Sequence, residues 1–214
     1  MIQKTEIETL RDQRLVYRAV KRAGDIVLSA LGLALLSPLL LITAALIWLE
    51  DHGTVIFCQE RNGLNGEPFR MYKFRTMVPN ADALRSAMEQ YNELDGPAFK
   101  MKRDPRVTKI GAFLRKTSID ELPQLVNILR GEMSLVGPRP LPTYETAKCT
   151  AYQKQRLLVK PGLTCYWQIS GRNDVSFDEW IEMDLEYIRN AGVATDIAIL
   201  FKTARAVLTG RGAY

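Results

Sequence analysis

The sequence predicts an α+β chain, mainly helical, with a long apolar segment near its N-terminus. Three observations carry this. Ile26 to Leu49 is a run of 24 residues without a charge. Thr54 to Phe74 alternates as two short strands around an Asn-Gly-rich turn. Most of the chain beyond Phe74 places apolar residues at helical spacing.

Residues 1–25 are polar and basic, with Lys4, Arg11, Arg14, Arg18, Lys21 and Arg22 against a few acids. They read as a basic N-terminal arm beside an anionic surface. The apolar run exceeds the roughly 18 residues that suggest a membrane helix. It starts too late and runs too long for a signal peptide, and it ends in Trp48-Leu49-Glu50-Asp51 without a small-residue cleavage site. Ser37-Pro38 divides it into halves of 12 residues. Each half would rise about 18 Å as a helix, short of the roughly 30 Å hydrocarbon core. Two shapes are open, a kinked spanning helix or a helix-break-helix that dips in and returns. The positive-inside rule keeps the basic arm cytoplasmic. A spanning helix would then put the rest of the chain outside the cell, although that part carries no disulfide pattern.

Beyond the apolar run, Thr54 to Cys58 and Pro68 to Phe74 form the expected hairpin, which ends in the basic and aromatic YKFRTM with Lys73 and Arg75. Val78 to Tyr91 is expected to be helical, and Asn92 to Gly111 to be a long loop near the site. Tyr144 to Val159 reads as a helix with a basic face of Lys148, Lys154 and Arg156. Cys165 to Ile169 reads as a strand, Ser170 to Asn173 as a turn presenting Arg172, and Phe177 to Asn190 as a helix. Thr195 to Leu208 is amphipathic and either packs on the core or lies on a bilayer.

The candidate site is Thr117 to Pro140, TSIDELPQLVNILRGEMSLVGPRP. Asp120 and Glu121 head a short apolar-periodic run that stops at Gly131, and Gly137-Pro138-Arg139-Pro140 then turns the chain. A helix start favours ionised carboxylates and can hold a phosphate. An ionised aspartate there could be a nucleophile, a metal ligand or both. Ser118-x-x-Glu121 also fits a capping box. Pro123 disfavours that box, because with Ser118 as cap the proline falls past the first turn.

The charge of +5 and pI near 9.1 point to anionic partners. Three widely spaced cysteines give neither a disulfide framework nor a zinc site, and a lone histidine, His52, argues against Ser-His or Cys-His catalysis. Walker and GxGxxG signatures are absent.

In order along the chain stand KRxxD (Lys21, Arg22, Asp25), Ser37-Pro38, YKFRTM, the Ser118 to Pro140 block, KPGLT and SGRN. Together they closely resemble the small monotopic phosphoglycosyl transferases of the bacterial sugar transferase family. The resemblance implies a re-entrant hairpin over 26–49 broken at Ser37-Pro38. It implies a small cytoplasmic catalytic domain over 50–214 with interfacial amphipathic helices, at the bacterial inner (cytoplasmic) membrane. It implies transfer of a sugar 1-phosphate, with a hexose favoured, from a UDP-sugar to polyprenyl (undecaprenyl) phosphate, releasing UMP and initiating exopolysaccharide or glycan assembly. Asp120 would be the nucleophile, with a covalent phosphosugar intermediate, and Glu121 a base or metal partner. Mg²⁺ would sit at Asp120 and Glu121, with Lys73, Arg75, Arg115, Arg139 and Arg172 on phosphates. Membrane lipids are expected partners, nucleic acid is not, and the resemblance leaves room for a homodimer. It also suggests a minimal catalytic unit, without the extra N-terminal membrane helices of larger relatives. Two other readings stay open: the same transfer by direct ternary-complex attack, and a non-catalytic membrane-tethered anion-binding module.

Overall fold

The computed structural model describes residues 15–81, 83–84, 88–92, 96–97, 101, 104–170 and 175–209. Helix α1 is Leu15–Asp51, and the folded unit beside it begins with the hairpin β1 (Ile56–Asn62) and β2 (Pro68–Phe74). Then come α2 (Lys109–Thr117), a 3₁₀ turn at Ile119–Glu121, α3 (Gln124–Arg130), β3 (Ser134–Val136) and α4 (Thr143–Lys148). A 3₁₀ segment at Gln153–Leu158, β4 (Gly162–Thr164), α5 (Tyr166–Ile169), α6 (Phe177–Asn190) and α7 (Val193–Thr209) complete the unit. The fold is thus mixed α and β, with helix predominating.

Helix α1 continues through Ser37-Pro38 instead of stopping there, and it takes in residues 15–25 of the expected arm. Its 37 residues rise about 55 Å if straight, so by length and composition it can cross a membrane. The continuity has a local cause. Pro38 has no N–H for the carbonyl of Ala34, and the Ser37 hydroxyl donates to that same oxygen at 2.8 Å.

One face of α1 packs along the folded unit. Arg22 donates to the carbonyls of Ile128 and Leu129 at 2.6 and 2.8 Å, closing the C-terminal end of α3. Asp25 accepts from the Ser134 hydroxyl and the Leu135 amide at 3.0 and 2.9 Å. Leu33 joins the core of Phe69, Met71, Leu125, Ile128 and Met133. Ile47 joins Phe74 and Leu114. At the far end Arg75 clasps Asp51 through both carboxylate oxygens. The opposite face leaves Leu31, Leu35, Leu41, Ile42 and Leu49 exposed.

The expected hairpin forms, antiparallel, with β2 at the expected bounds, but β1 runs Ile56–Asn62 rather than Thr54 to Cys58, placing Ile56 opposite Phe74 and Asn62 opposite Pro68. Strands β3 and β4 pair in parallel, Ser134 with Gly162 and Val136 with Thr164. Gly137 and Gly162 meet where this pair ends. A Cβ on Gly162 would lie 2.1 Å from the Gly137 nitrogen, so no side chain fits there. The Gly137 amide bonds Thr164 and the Gly162 amide bonds Pro138, each at 2.9 Å. The KPGLT and VGPRP segments are therefore one clasp, which fixes the turn carrying Arg139.

Three expectations are corrected. Among the described residues of 78–91 there are turns and a 3₁₀ turn at Glu89–Tyr91, not one helix. The segment 144–159 is two short helical pieces, and Arg156 is buried against Asp184 at 2.6 Å rather than on a basic face. Residues 166–169 are helical, because Trp167 stacks on Trp180 of α6 with centroids 4.2 Å apart. Of the two readings open for α7, packing on the core holds for Ile199 and Leu200, while Ile197, Phe201 and Val207 stay exposed. Arg172 lies outside the described residues.

The Asp51–Arg75 clasp makes an acid-stability prediction. Hydrogen bonds from Arg75 hold the Asp51 carboxyl down at about 2, below its ordinary 3.8. A depressed carboxylate stabilises the fold above its unfolded pKa, and that contribution is lost as pH falls through the folded value. Between about pH 4 and about pH 2, thermal denaturation in detergent micelles should show a shallower loss of Tm for Asp51→Asn than for the wild type.

Candidate active site

Asp120 and Glu121 sit on the 3₁₀ turn between α2 and α3, one step earlier than a helix start. Ser118 ends α2 in the left-handed region, with φ of 58°, and makes no side-chain cap. The capping box is therefore not formed, and Pro123 precedes α3, where its missing N–H costs no helical bond. The turn is held from both sides. On one side Asn127, fully buried in α3, binds β2: its amide donates to the Arg70 carbonyl at 2.7 Å, and its carbonyl accepts from Tyr72 N at 3.0 Å. On the other, Gly111 of α2 packs on the Thr76 backbone so closely that a Cβ would lie 2.1 Å from the Thr76 oxygen. Arg115, one turn further along α2, donates to the Thr76 hydroxyl at 2.9 Å.

The two carboxylates differ sharply. Glu121 Oε1 accepts from Lys73 Nζ at 2.8 Å and from Arg139 Nη2 at 2.6 Å. Burial alone would raise Glu121, but Arg139 and Lys73 override it and hold the carboxyl well below its usual range. Asp120 makes no hydrogen bond or ion pair among the described residues. Burial pushes it up to about 6, against the pull of Lys73 and with the like charge of Glu121 beside it. It is 7% exposed, and its oxygens are not among the fully enclosed unpartnered atoms. One acid is thus locked as an anion between two cations, and the other faces outward with both oxygens available.

Of the predicted site residues, Asp120, Glu121, Lys73, Arg115 and Arg139 come together. Arg75 does not join them. Its guanidinium binds Asp51 and the carbonyls of Thr54 and Met77, which takes up the donors a phosphate would need. Lys73 and Arg75 are two apart, at and just past the end of β2, so spacing alone could not separate the one facing the acids from the one tying down α1.

Sequence reasoning missed the support behind Arg139. Arg156 donates to the Arg139 carbonyl at 2.6 Å and pairs with Asp184. The Arg139 guanidinium lies 6.0 Å over the Trp167 ring, and Arg156 lies 5.0 Å over Trp180. The only available sign was three aromatic residues, Trp167, Phe177 and Trp180, near one another in the chain.

For a divalent cation the donor set is hard oxygen: the unpartnered Asp120 carboxylate and Glu121 Oε2. Magnesium is commonly held by one or two carboxylates plus substrate phosphates and water, so this pair fits it without a third protein ligand. Among the described residues no cluster of three or more His, Cys, Asp or Glu could hold a metal ion by itself.

An acid pair among half-buried cations, in a unit packed against a long apolar helix, defines an anion-handling site. The bacterial sugar transferase family matches residues 16–210, and the chain belongs to that family. It is 43% identical over 201 residues to the exopolysaccharide production protein ExoY of Rhizobium meliloti, covering 91% of this chain and 88% of that protein. It is 49% identical over 165 residues to the galactosyl transferase CpsE of Streptococcus agalactiae, covering 77% of this chain and 37% of that one. With the undecaprenyl-phosphate galactose phosphotransferase of Salmonella typhimurium it shares 43% identity over 204 residues, or 92% of this chain and 42% of that protein. The chain thus spans less than half the length of CpsE and of the Salmonella protein.

Arg156→Ala leaves Asp184 buried and unpaired, so it should destabilise the fold by about 3–5 kcal/mol. The double change Arg156→Met with Asp184→Leu should restore most of that loss. Urea unfolding of the wild type and the two variants in micelles measures both effects.

Proposed function

We propose that the chain transfers a sugar 1-phosphate from a UDP-sugar to polyprenyl phosphate, through a covalent intermediate on Asp120. The observation that carries this is the division of labour between the acids: Asp120 unpartnered and outward, Glu121 bound by Lys73 and Arg139. An Asp120 oxygen attacks the sugar-linked β-phosphorus, and the bond from that phosphorus to the bridging oxygen breaks. UMP leaves with the bridging oxygen and its electron pair. A phosphate oxygen of the polyprenyl phosphate then attacks the same phosphorus, and the bond to Asp120 breaks. Polyprenyl diphosphate sugar leaves, and the carboxylate is restored. Neither step requires proton removal from the attacking group.

Glu121 is already ionised and doubly bound, so its role is to place Lys73 and Arg139, not to act as a base. Those two cations and Arg115 neutralise charge on the diphosphate as the nucleophile approaches. Mg²⁺ at Asp120 and Glu121 Oε2 would supply further charge neutralisation on the phosphates. A galactose-type donor is favoured, since relatives carry that sugar in their names. A role in starting exopolysaccharide assembly is in keeping with the likeness to ExoY.

The same reading places the chain on the cytoplasmic face of the inner membrane with α1 re-entrant. Both ends of α1 dock on one folded unit, at Ile128 and Leu129 near its start and at Arg75 near its end. A helix crossing the bilayer would have to carry that unit through it. The exposed stripe of Ile197, Phe201 and Val207 on α7 offers a second apolar contact at the interface.

Asp120→Asn should lower kcat by roughly a thousandfold or more with the fold intact, as for other removed nucleophiles. The assay is UMP release with UDP-galactose and undecaprenyl phosphate, and near-wild-type release would remove the covalent mechanism. Because the nucleophile must be ionised, kcat/KM should fall on the acid side with a midpoint above the ordinary carboxylate range. For topology, a cysteine placed ahead of Leu15 and the exposed native Cys58 should both react with an impermeant maleimide from the cytoplasmic side only. Labelling from opposite sides would contradict the re-entrant placement.

A further inference from the structure

A cavity of about 430 Å³ lies beside the first turns of α1, away from the acid pair. Arg18, Lys21, Arg22 and Lys160 line it together with Asp25 and Tyr187. The carboxylates near these cations are already engaged. Asp25 Oδ1 accepts from Ser134 and Leu135, and Asp196 pairs with Lys21 at 2.7 Å. Lys160 is half-buried and makes no hydrogen bond or ion pair among the described residues. Arg22 Nη2 and Lys160 Nζ flank a single point beside Gly131, 3.5 and 3.6 Å from where a Cβ would stand. Burial lowers the pKa of Lys160, Arg22 and Arg18 add to that, and Asp25 opposes them without bonding the ammonium.

Much of the remaining wall is apolar, with Leu158 and Ile188, beside the hydroxyl-bearing Tyr17 and Ser134. Leu15, Val16 and Val20 stand exposed on the same end of α1, in the three turns before its uncharged run. A ligand suited to this place has a phosphate at the cations and a hydrocarbon portion against the wall. That phosphate is not the reacting one. Arg22 sits at the C-terminal end of α3 and the acids precede its N-terminal end, so the seven residues of α3, roughly 10 Å, lie between them. Reacting atoms must come within about 3–3.5 Å.

We propose that this cavity binds the phosphate of an anionic membrane phospholipid, and so holds the start of α1 at headgroup depth. Its size lies within the range of lipid-sized and drug-sized sites, about 300–1,000 Å³. The assignment is independent of chemistry at Asp120.

The test is calorimetric titration of the detergent-solubilised full chain with dihexanoyl-phosphatidylglycerol. Parallel titrations use dihexanoyl-phosphatidylcholine and inorganic phosphate. Saturable one-to-one binding of the phosphatidylglycerol is expected. Lys160→Gln combined with Arg18→Gln should weaken it about tenfold or more at unchanged Tm, since two charge-assisted contacts are removed. Lys160→Arg should retain it, and Asp120→Asn should bind as the wild type does. Equal binding of phosphatidylcholine would overturn the need for net negative charge. Equal binding of inorganic phosphate would make this a free-phosphate site. No binding, an unaffected double variant, or loss of binding in Asp120→Asn would each refute the assignment, the last by placing the anion at the acid pair.

Discussion

Glu121 is the joint on which the site depends. Its Oε1 receives Lys73 from β2 and Arg139 from the turn after β3, so three separate stretches of chain meet at one buried oxygen. A carboxylate taken out of water is costly unless it is paired and hydrogen-bonded, and here two cations supply both. The same contacts would be costly to break. That fixes the acids, which stand on a single 3₁₀ turn between α2 and α3, against β2 and the turn after β3.

Around that joint, each support removes one freedom. Asn127 fixes α3 against the edge of β2 and thus the spacing from the acid turn to Lys73. The Gly137 and Gly162 contact fixes the Pro-rich turn, and Arg156 holds the Arg139 carbonyl from behind. Asp120 alone is left without such a support. Its lack of a partner, with Glu121 neutralising two of the nearby cations, suits a group that must form and break a bond to phosphorus.

Much of this was legible in the sequence, and the exceptions have physical reasons. The bounds of α6 agree with its sequence reading, and the structure adds a capping box from Ser176 to Glu179 at its start. The paired acids stood out because they precede a short helix and are ringed by arginines. Pro38 suggested a break, yet the Ser37 hydroxyl satisfies the carbonyl that the proline strands, and the helix continues. Cys165 to Ile169 has the composition of a strand, but its residues 166–169 are helical, with Trp167 stacked on Trp180, a contact with no sign in local composition. Arg156 looked like a surface charge because spacing along the chain contains no sign of Asp184, 28 residues later. Arg75 looked like a phosphate ligand for the same reason, since its partner Asp51 belongs to the end of the apolar helix.

The central claim is that one carboxylate, Asp120, bonds to phosphorus. The most direct measurement is the intact mass of the purified chain after incubation with UDP-galactose and Mg²⁺ in the absence of any lipid acceptor. The account predicts a species heavier by one hexose phosphate, formed together with one equivalent of UMP, mapped by peptide fragmentation to Asp120 and discharged when polyprenyl phosphate is added. An unmodified chain that nonetheless releases UMP once the acceptor is supplied would contradict it and establish direct transfer between the two substrates.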